Sequence, residues 1–312
     1  MHLFALKESE GHGARIAAAL GVKLSQLEHR EFGDGEFKIR PLSCVNGQEV
    51  CVIQSLFEGP DFSVHDKLCR LLFLIATLRD HGARRVTALV PFLCYGRKDR
   101  RTKEQDPVAT QYVARLFEAM QCDDLVTFET HNLAAFQNAF RLRTQHLQMG
   151  GVFQDVLTWR TEGPLVVMSP DPGGVKRAQL FRESLQDRQG RGVGFGFMEK
   201  RRSGGHMTSG DVVGDFEGRS VVVVDDMIAS GRTMMAAAEA CRARGAAKVY
   251  ALAAHGLFTA GAEALFASDL FERVFVSDSI PPFRLSDGVK TRRLEIVDTA
   301  GEFADLFRRL TP

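Results

Sequence analysis

The six cysteines (Cys44, Cys51, Cys69, Cys94, Cys122 and Cys241) include no Cys-x-x-Cys pair, and no histidines cluster around them. Zinc-binding and thiol-redox motifs are therefore absent, and the cysteines inside apolar runs read as small buried hydrophobes. Net charge is nearly missing as well: 40 Lys and Arg face 39 Asp and Glu, a formal +1. That excludes a general nucleic-acid coat and an acidic tail, while local patches remain open. No apolar run approaches the roughly 18 residues of a membrane span; Leu71–Thr77 and Val221–Val224 are among the longest. Residues Met1 to Glu8 show no basic region followed by an apolar core, so no secretory signal is expected. The expectation is a soluble, cytoplasmic protein that engages neither nucleic acid nor membrane.

What is present is an ordinary globular composition, 45% hydrophobic and 25% charged over 312 residues. At about 150 residues per domain, that length suggests two domains. Short β-branched runs alternate with helical patterns: strands at Val50–Ser55, Val86–Phe92, Leu165–Met168, Val193–Phe197, Val221–Val224, Val249–Ala253 and Val274–Val276, and helices at Val64–Asp80, Pro107–Met120 and Thr233–Arg244. Alternation of this kind predicts an α/β fold of parallel sheets flanked by helices. A weak internal repeat supports duplication. Gly82-Ala-Arg-Arg-Val-Thr-Ala-Leu89 and Gly245-Ala-Ala-Lys-Val-Tyr-Ala-Leu252 match at five of eight positions, 163 residues apart. The expected domains are 1–150 and 151–312, with Gly150-Gly151 and Thr161–Pro164 flanking a short helix at the boundary.

The strongest local signal is Val221-Val-Val-Val-Asp-Asp-Met-Ile-Ala-Ser-Gly-Arg-Thr233. Four β-branched residues predict a buried strand, two carboxylates follow it, and a Ser-Gly-x-Thr turn opens a helix. Ligands of parallel sheets bind beyond the carboxyl ends of strands. N–H groups at a helix N-terminus, with nearby hydroxyls, suit a phosphate, while the acids can accept from sugar hydroxyls. A phosphorylated sugar meets both demands. Asp171, after the Leu165–Met168 run and before Gly173-Gly174, can orient a metal or a sugar hydroxyl. Other segments are ambiguous by themselves: Phe32-Gly-Asp-Gly-Glu36 reads as a hairpin turn, Arg97–Arg101 as a solvated basic face, and His131 as structural or ligating.

Taken together, these segments resemble the ribose-phosphate diphosphokinase (PRPP synthetase) family. The sugar loop is shared with type I phosphoribosyltransferases. Ser169-Pro-Asp-Pro-Gly-Gly174 resembles the family's Ser-Pro-Asp-x-Gly-Gly segment, and Phe32–Glu36 its adenine loop. Pro91-Phe-Leu-Cys-Tyr-Gly-Arg-Lys-Asp-Arg-Arg101 and Thr130-His131 resemble its triphosphate segments. Glu199-Lys-Arg-Arg202 resembles its catalytic loop. The resemblance runs from about residue 32 to 256 in family order.

It implies two similar phosphoribosyltransferase-like domains, the first carrying the ATP loops and the second the ribose 5-phosphate loop. The implied reaction moves the pyrophosphoryl group of ATP to the anomeric hydroxyl of ribose 5-phosphate. Lys200 and Arg202 would be catalytic, on a Gly- and Ser-rich segment (200–211) expected to act as a mobile lid. Phe32, Asp34, Glu36, Arg97, Lys98, Asp99 and His131 would bind ATP. Asp171, Asp225, Asp226, Ser230, Gly231, Arg232 and Thr233 would bind ribose 5-phosphate, and His131 and Asp171 would contact Mg²⁺. A homo-oligomer, at least a dimer with a shared ATP site, is also implied. Two departures stand out: Ala229 replaces a third carboxylate, and Arg232 replaces a glycine in a turn that could demand positive φ. A non-catalytic regulatory homologue and a phosphoribosyltransferase are the alternatives.

Overall fold

The computed structural model describes residues 1–160, 163–199, 201–203, 206–208, 212–290 and 293–310. The chain divides into two compact units, residues 1–147 with 300–312, and residues 148–299.

The first unit contains β1 (His2–Ala5), α1 (Glu10–Leu20), β2 (Leu27–Glu31), β3 (Phe37–Pro41), β4 (Glu49–Ile53), α2 (Val64–Asp80), β5 (Arg85–Val90), α3 (Ala109–Ala119), β6 (Asp124–Phe128), α4 (Leu133–Ala139) and β7 (Arg143–Leu147). Five strands form a wholly parallel sheet in the order β1-β4-β5-β6-β7, and β2 and β3 form a separate antiparallel hairpin. All five residues of β6 are buried, as expected for a strand covered on both faces.

The second unit contains α5 (Met149–Arg160), β8 (Leu165–Ser169), a single 3-10 turn (Pro172–Gly174), α6 (Val175–Gln189), β9 (Gly194–Met198), β10 (Arg201–Ser203), β11 (His206–Thr208), β12 (Val212–Val213), β13 (Ser220–Ile228), α7 (Arg232–Ala243), β14 (Lys248–Gly256), α8 (Ala264–Ala267), β15 (Val274–Ser277), α9 (Asp287–Lys290) and β16 (Leu294–Val297). Its seven-stranded sheet runs β12-β9-β8-β13-β14-β15-β16; only β12 is antiparallel to its neighbour. Central β13 is the spine: Val221, Val222, Val223 and Val224 are each 0% exposed.

The final helix, α10 (Ala300–Leu310), belongs to the first unit. Its apolar face (Phe303, Ala304, Leu306, Phe307) is buried, and Phe303 meets the His12 ring of α1 edge-on. The expected division at 150/151, which left residues 151–312 together, therefore differs from the observed units. A second difference lies in α5, which contains Gly150 and Gly151 rather than following them. A β-carbon at Gly150 would lie 2.5 Å from the Ser184 hydroxyl of α6, so the glycine serves close helix approach.

The sequence repeat has a structural counterpart. Gly82 and Gly245 are both left-handed, at φ 79° and 83°, and each carbonyl accepts a strand-side glycine N–H, from Gly47 at 2.8 Å and Gly218 at 2.9 Å. Three residues upstream, and again 163 apart, stand Arg79 and Arg242. Arg79 Nη1 donates to the Ala83 and Arg84 carbonyls at 3.0 and 3.3 Å. Arg242 Nη1 donates to the equivalent Ala246 and Ala247 carbonyls at 3.3 and 2.6 Å. A guanidinium thus closes the same helix-to-strand turn in both units. Among the described residues, no helix is long and apolar enough to cross a membrane.

Candidate active site

In the second unit the site grows from the carboxyl ends of β8 and β13, which pair directly. Asp225 and Asp226 do not follow β13 but lie inside it, because pairing with β14 continues to Ile228↔Gly256. Asp226 is 2% exposed, and its N–H donates to Asp225 Oδ1 at 2.8 Å. Arg177, in the first turn of α6, faces both: its Nη1 lies 3.5 Å from Asp225 Oδ1 and 3.5 Å from Asp226 Oδ1. Burial and the adjacent Asp226 charge push the Asp225 carboxyl well above the usual carboxylate range, and Arg177 only partly opposes this. Asp225 therefore holds a proton at neutral pH and can donate to, as well as accept from, hydroxyl groups beside it.

Asp171 completes this side. Its Oδ1 accepts the Gly174 N–H at 3.0 Å, and its carbonyl accepts the Ser169 hydroxyl at 2.7 Å. A β-carbon at Gly174 would lie 2.8 Å from Ser169 Oγ, 3.6 Å from Arg177 Nη1 and 3.8 Å from Asp171 Oδ1. The three side chains thus converge on one point that only glycine leaves open.

The loop after β13 carries Ser230, Gly231, Arg232 and Thr233. Gly231 takes the left-handed conformation at φ 77°, and a β-carbon there would lie 2.3 Å from Leu265 Cδ1. The positive φ falls on Gly231, and Arg232 is the exposed first residue of α7. The strain considered for Arg232 therefore does not arise. Gly231 has no side chain to cap α7, and the first-turn N–H groups of a helix have no intrahelical partner. With the Ser230 and Thr233 hydroxyls beside them, they form an anion cradle at the positive end of the helix.

In the first unit, Phe32–Glu36 forms the tip of the β2–β3 hairpin. The Phe32 N–H donates to the Glu36 carbonyl and the Glu36 N–H to Asp34 Oδ1, at 2.8 and 3.1 Å. Phe32 is exposed, and the Arg30 guanidinium lies 5.0 Å from its ring centroid. The basic segment after β5 and His131 after β6 are brought together. Asn132, which caps α4, donates to Asp99 Oδ2 at 2.6 Å, and a β-carbon at Gly96 would lie 3.8 Å from His131 Cβ. Arg97 and His131 are exposed. Lys98 is committed to Asp106 at 2.6 Å, which also accepts from the Thr102 and Lys103 N–H groups, each at 3.0 Å. These contacts hold the Asp106 carboxyl far below its ordinary value, the Lys98 hydrogen bond most of all. Asp106 organises this loop and holds Lys98, whose ammonium keeps further N–H donors for a ligand.

Lys200 lies outside the described residues. Arg202 lies on β10, which pairs with β11 in an antiparallel hairpin, Arg202 opposite Met207. Among the described residues, no group of three or more His, Cys, Asp or Glu converges as a metal cage. Mg²⁺ takes oxygen ligands, keeps several waters and is commonly held by one or two carboxylates plus substrate phosphates. Asp171, with Oδ1 taken by Gly174, fits that donor chemistry. His131 offers nitrogen and fits it less well.

Arg177, which faces both aspartates, carries no signal of its own in the sequence. It stands three residues past the Ser169–Gly174 segment, and its two partners come from a neighbouring strand more than 45 residues downstream.

Comparisons with known proteins agree with this geometry. Residues 1–120 match the family model described as the N-terminal domain of ribose phosphate pyrophosphokinase. Residues 198–311 match a phosphoribosyl synthetase-associated domain. Among relatives, the ribose-phosphate pyrophosphokinase of Parasynechococcus marenigrum is 33% identical, over 90% of this chain and 82% of its own. That of Aquifex aeolicus is 32% identical over 95% and 91%. The crystal structure of phosphoribosylpyrophosphate synthetase from Mycobacterium smegmatis superposes with a TM-score of 0.88 at 27% identity, covering 99% of this chain and 98% of that one. By its two matched domains, its full-length relatives and its shared fold, the chain belongs to the ribose-phosphate pyrophosphokinase (PRPP synthetase) family.

Proposed function

We propose that the chain transfers the pyrophosphoryl group of ATP to the anomeric hydroxyl of ribose 5-phosphate, giving 5-phospho-α-D-ribose 1-diphosphate (PRPP) and AMP. The observation that carries this is the buried Asp225–Asp226 pair set beside the α7 cradle. Asp225 and Asp226 accept from the ribose hydroxyls, with Asp171 nearby. Ser230, Gly231, Arg232 and Thr233 hold the 5-phosphate. Phe32 stacks on the purine, Asp34 accepts from its exocyclic amine, and Glu36 braces the same loop. Arg97, Lys98, Asp99 and His131 line the triphosphate side. The sugar oxygen attacks the β-phosphorus, the bond from that phosphorus to the α,β-bridging oxygen breaks, AMP leaves with that oxygen, and the hydroxyl proton passes to solvent. No covalent enzyme intermediate is needed, so catalysis is positioning and electrostatics. Asp171 and His131 would hold Mg²⁺, which when bound would supply positive charge to the phosphate oxygens. Lys200 and Arg202 supply the remainder.

A direct assay separates the alternatives. With ATP, Mg²⁺ and ribose 5-phosphate, the pure protein is expected to release AMP only when the sugar phosphate is present. ADP as product means simple phosphoryl transfer, and no turnover means a regulatory homologue. Turnover of PRPP with a nucleobase, without AMP release from ATP, means a phosphoribosyltransferase.

We also place the protein in the cytoplasm, which cell fractionation checks, and assign a homo-oligomer in which one subunit's adenine loop serves its neighbour. Mixing tests the shared site. A Phe32→Ala/Asp34→Ala variant and a Lys200→Ala variant, each nearly inactive, are co-refolded in equal amounts. About a quarter of wild-type sites should return, because each site needs an intact part from both subunits. Absence of recovery in oligomers shown by mass to be mixed means that each chain builds its own site.

A further inference from the structure

A two-stranded hairpin is marginal by itself, so something must hold the Phe32–Glu36 tip in place. The β2–β3 ladder ends at the pair Glu31↔Phe37, immediately before the tip. Both residues are gripped by one side chain from another element, Arg70 in the second turn of α2. Arg70 donates bidentately, Nη1 to Glu31 Oε1 and Nη2 to Glu31 Oε2, each at 2.7 Å. Its guanidinium carbon lies 4.4 Å from the Phe37 ring centroid and 4.2 Å from that of Phe62. Arg70 is buried, its side chain 10% exposed, whereas Glu31 is half exposed. The hydrogen bond from Arg70 holds the Glu31 carboxyl below its ordinary value. Phe73, one turn further along α2, meets Phe37 at 5.6 Å between centroids.

We infer that the Arg70–Glu31 pair is a positioning clamp that sets the hairpin tip for adenine, and so governs affinity for the nucleotide but not for the sugar phosphate. The planar fork of arginine fixes direction as well as distance. Glu31 is followed directly by Phe32, so the orientation imposed on its backbone passes to the stacking ring. Arg70 touches no proposed substrate atom; it acts through Glu31 and Phe37. Because α2 packs on the first unit's sheet core through Leu68, Leu71 and Leu74, the clamp ties the tip to the buried core of that unit. The inference rests on reading Phe32–Glu36 as the adenine loop.

The test is a charge swap in the full-length enzyme. Arg70→Glu and Glu31→Arg, each alone, place like charges at the clamp. Each should raise the KM for ATP by roughly tenfold or more, since three tip side chains must then be ordered on binding. The KM for ribose 5-phosphate should stay within about twofold, because no sugar contact changes. The double variant Arg70→Glu/Glu31→Arg restores an ion pair and should recover most of the ATP affinity. Should a swap variant fail to fold, Glu31→Gln, which keeps the shape but removes the charge, reads the same split. Phe32→Ala is measured alongside. If it raises the KM for ATP while the clamp variants do not, or if the double variant shows no recovery, the clamp is overturned. If Phe32→Ala leaves the KM for ATP unchanged, the adenine-loop reading falls and the clamp with it.

Discussion

Lys200→Ala and Arg202→Ala, made separately, are expected to lower kcat by about 10²–10³ each, the usual effect of removing one preorganised donor from a developing charge. Pyrophosphoryl transfer moves negative charge between the sugar oxygen, the β-phosphorus and the leaving AMP oxygen. A cation held where that charge appears lowers the barrier without tightening the ground state. The fall should therefore appear in kcat, with the KM for both substrates little changed. The described backbone of 201–203 and 206–208 forms a hairpin in which Arg202 pairs with Met207. Steady-state kinetics in both substrates, with circular dichroism to show intact folding, checks this. Near-normal kcat in both variants would contradict the assignment.

Above about pH 8, where Asp225 is ionised, Asp225→Asn should weaken ribose 5-phosphate by roughly ten- to a hundredfold, the worth of a hydrogen bond to a charged acceptor, and leave ATP affinity nearly unchanged. The same substitution should stabilise the substrate-free protein at high pH. Between the ordinary carboxylate value of 3.8 and its raised folded value of about 8, Asp225 keeps a proton in the folded state that the unfolded chain has lost. The unfolded state then binds fewer protons, so stability falls as pH rises through that window. Asparagine removes this dependence. Below about pH 4 the variant and the wild type should melt together; at pH 8 the variant should melt higher by several degrees. Calorimetric titration with ribose 5-phosphate and thermal melts at the two pH values check both halves. A lower melting point for the variant at pH 8 would mean that Arg177 already neutralises the pair.

The strands and helices nearest the site were legible in the sequence because each has a strong period or a strong stop. The helix expected at Val64–Asp80 has those bounds in the structure, helped by a Ser63 capping box. The Gly82 and Gly245 repeat marked the entries to β5 and β14. Less visible were features made by contacts across long separations. The α10 helix returns to α1 because Phe303 and Phe307 need a core, and nothing local says which unit supplies it. The β13 strand runs past Val224 through two aspartates because β14 continues beside it, overriding the poor strand propensity of Asp. Arg177 and Arg70 are ordinary helical arginines in sequence; only their carboxylate partners from distant strands give them a role. Asp106 anchors its own loop through Lys98, a pairing across eight residues with no periodic signal. The acids, glycines and hydroxyls of the sugar loop were readable because their chemistry is local, whereas the residues that orient them are not.

In the proposed reaction the whole pyrophosphoryl group moves, with the sugar oxygen attacking the β-phosphorus. ATP carrying ³²P at the β position, incubated with the enzyme, Mg²⁺ and ribose 5-phosphate, tests this in one measurement. All transferred label should be found in PRPP, with unlabelled AMP as the second product. Label appearing in ADP, or in orthophosphate or pyrophosphate, would place the attack at another phosphorus and rule out pyrophosphoryl transfer.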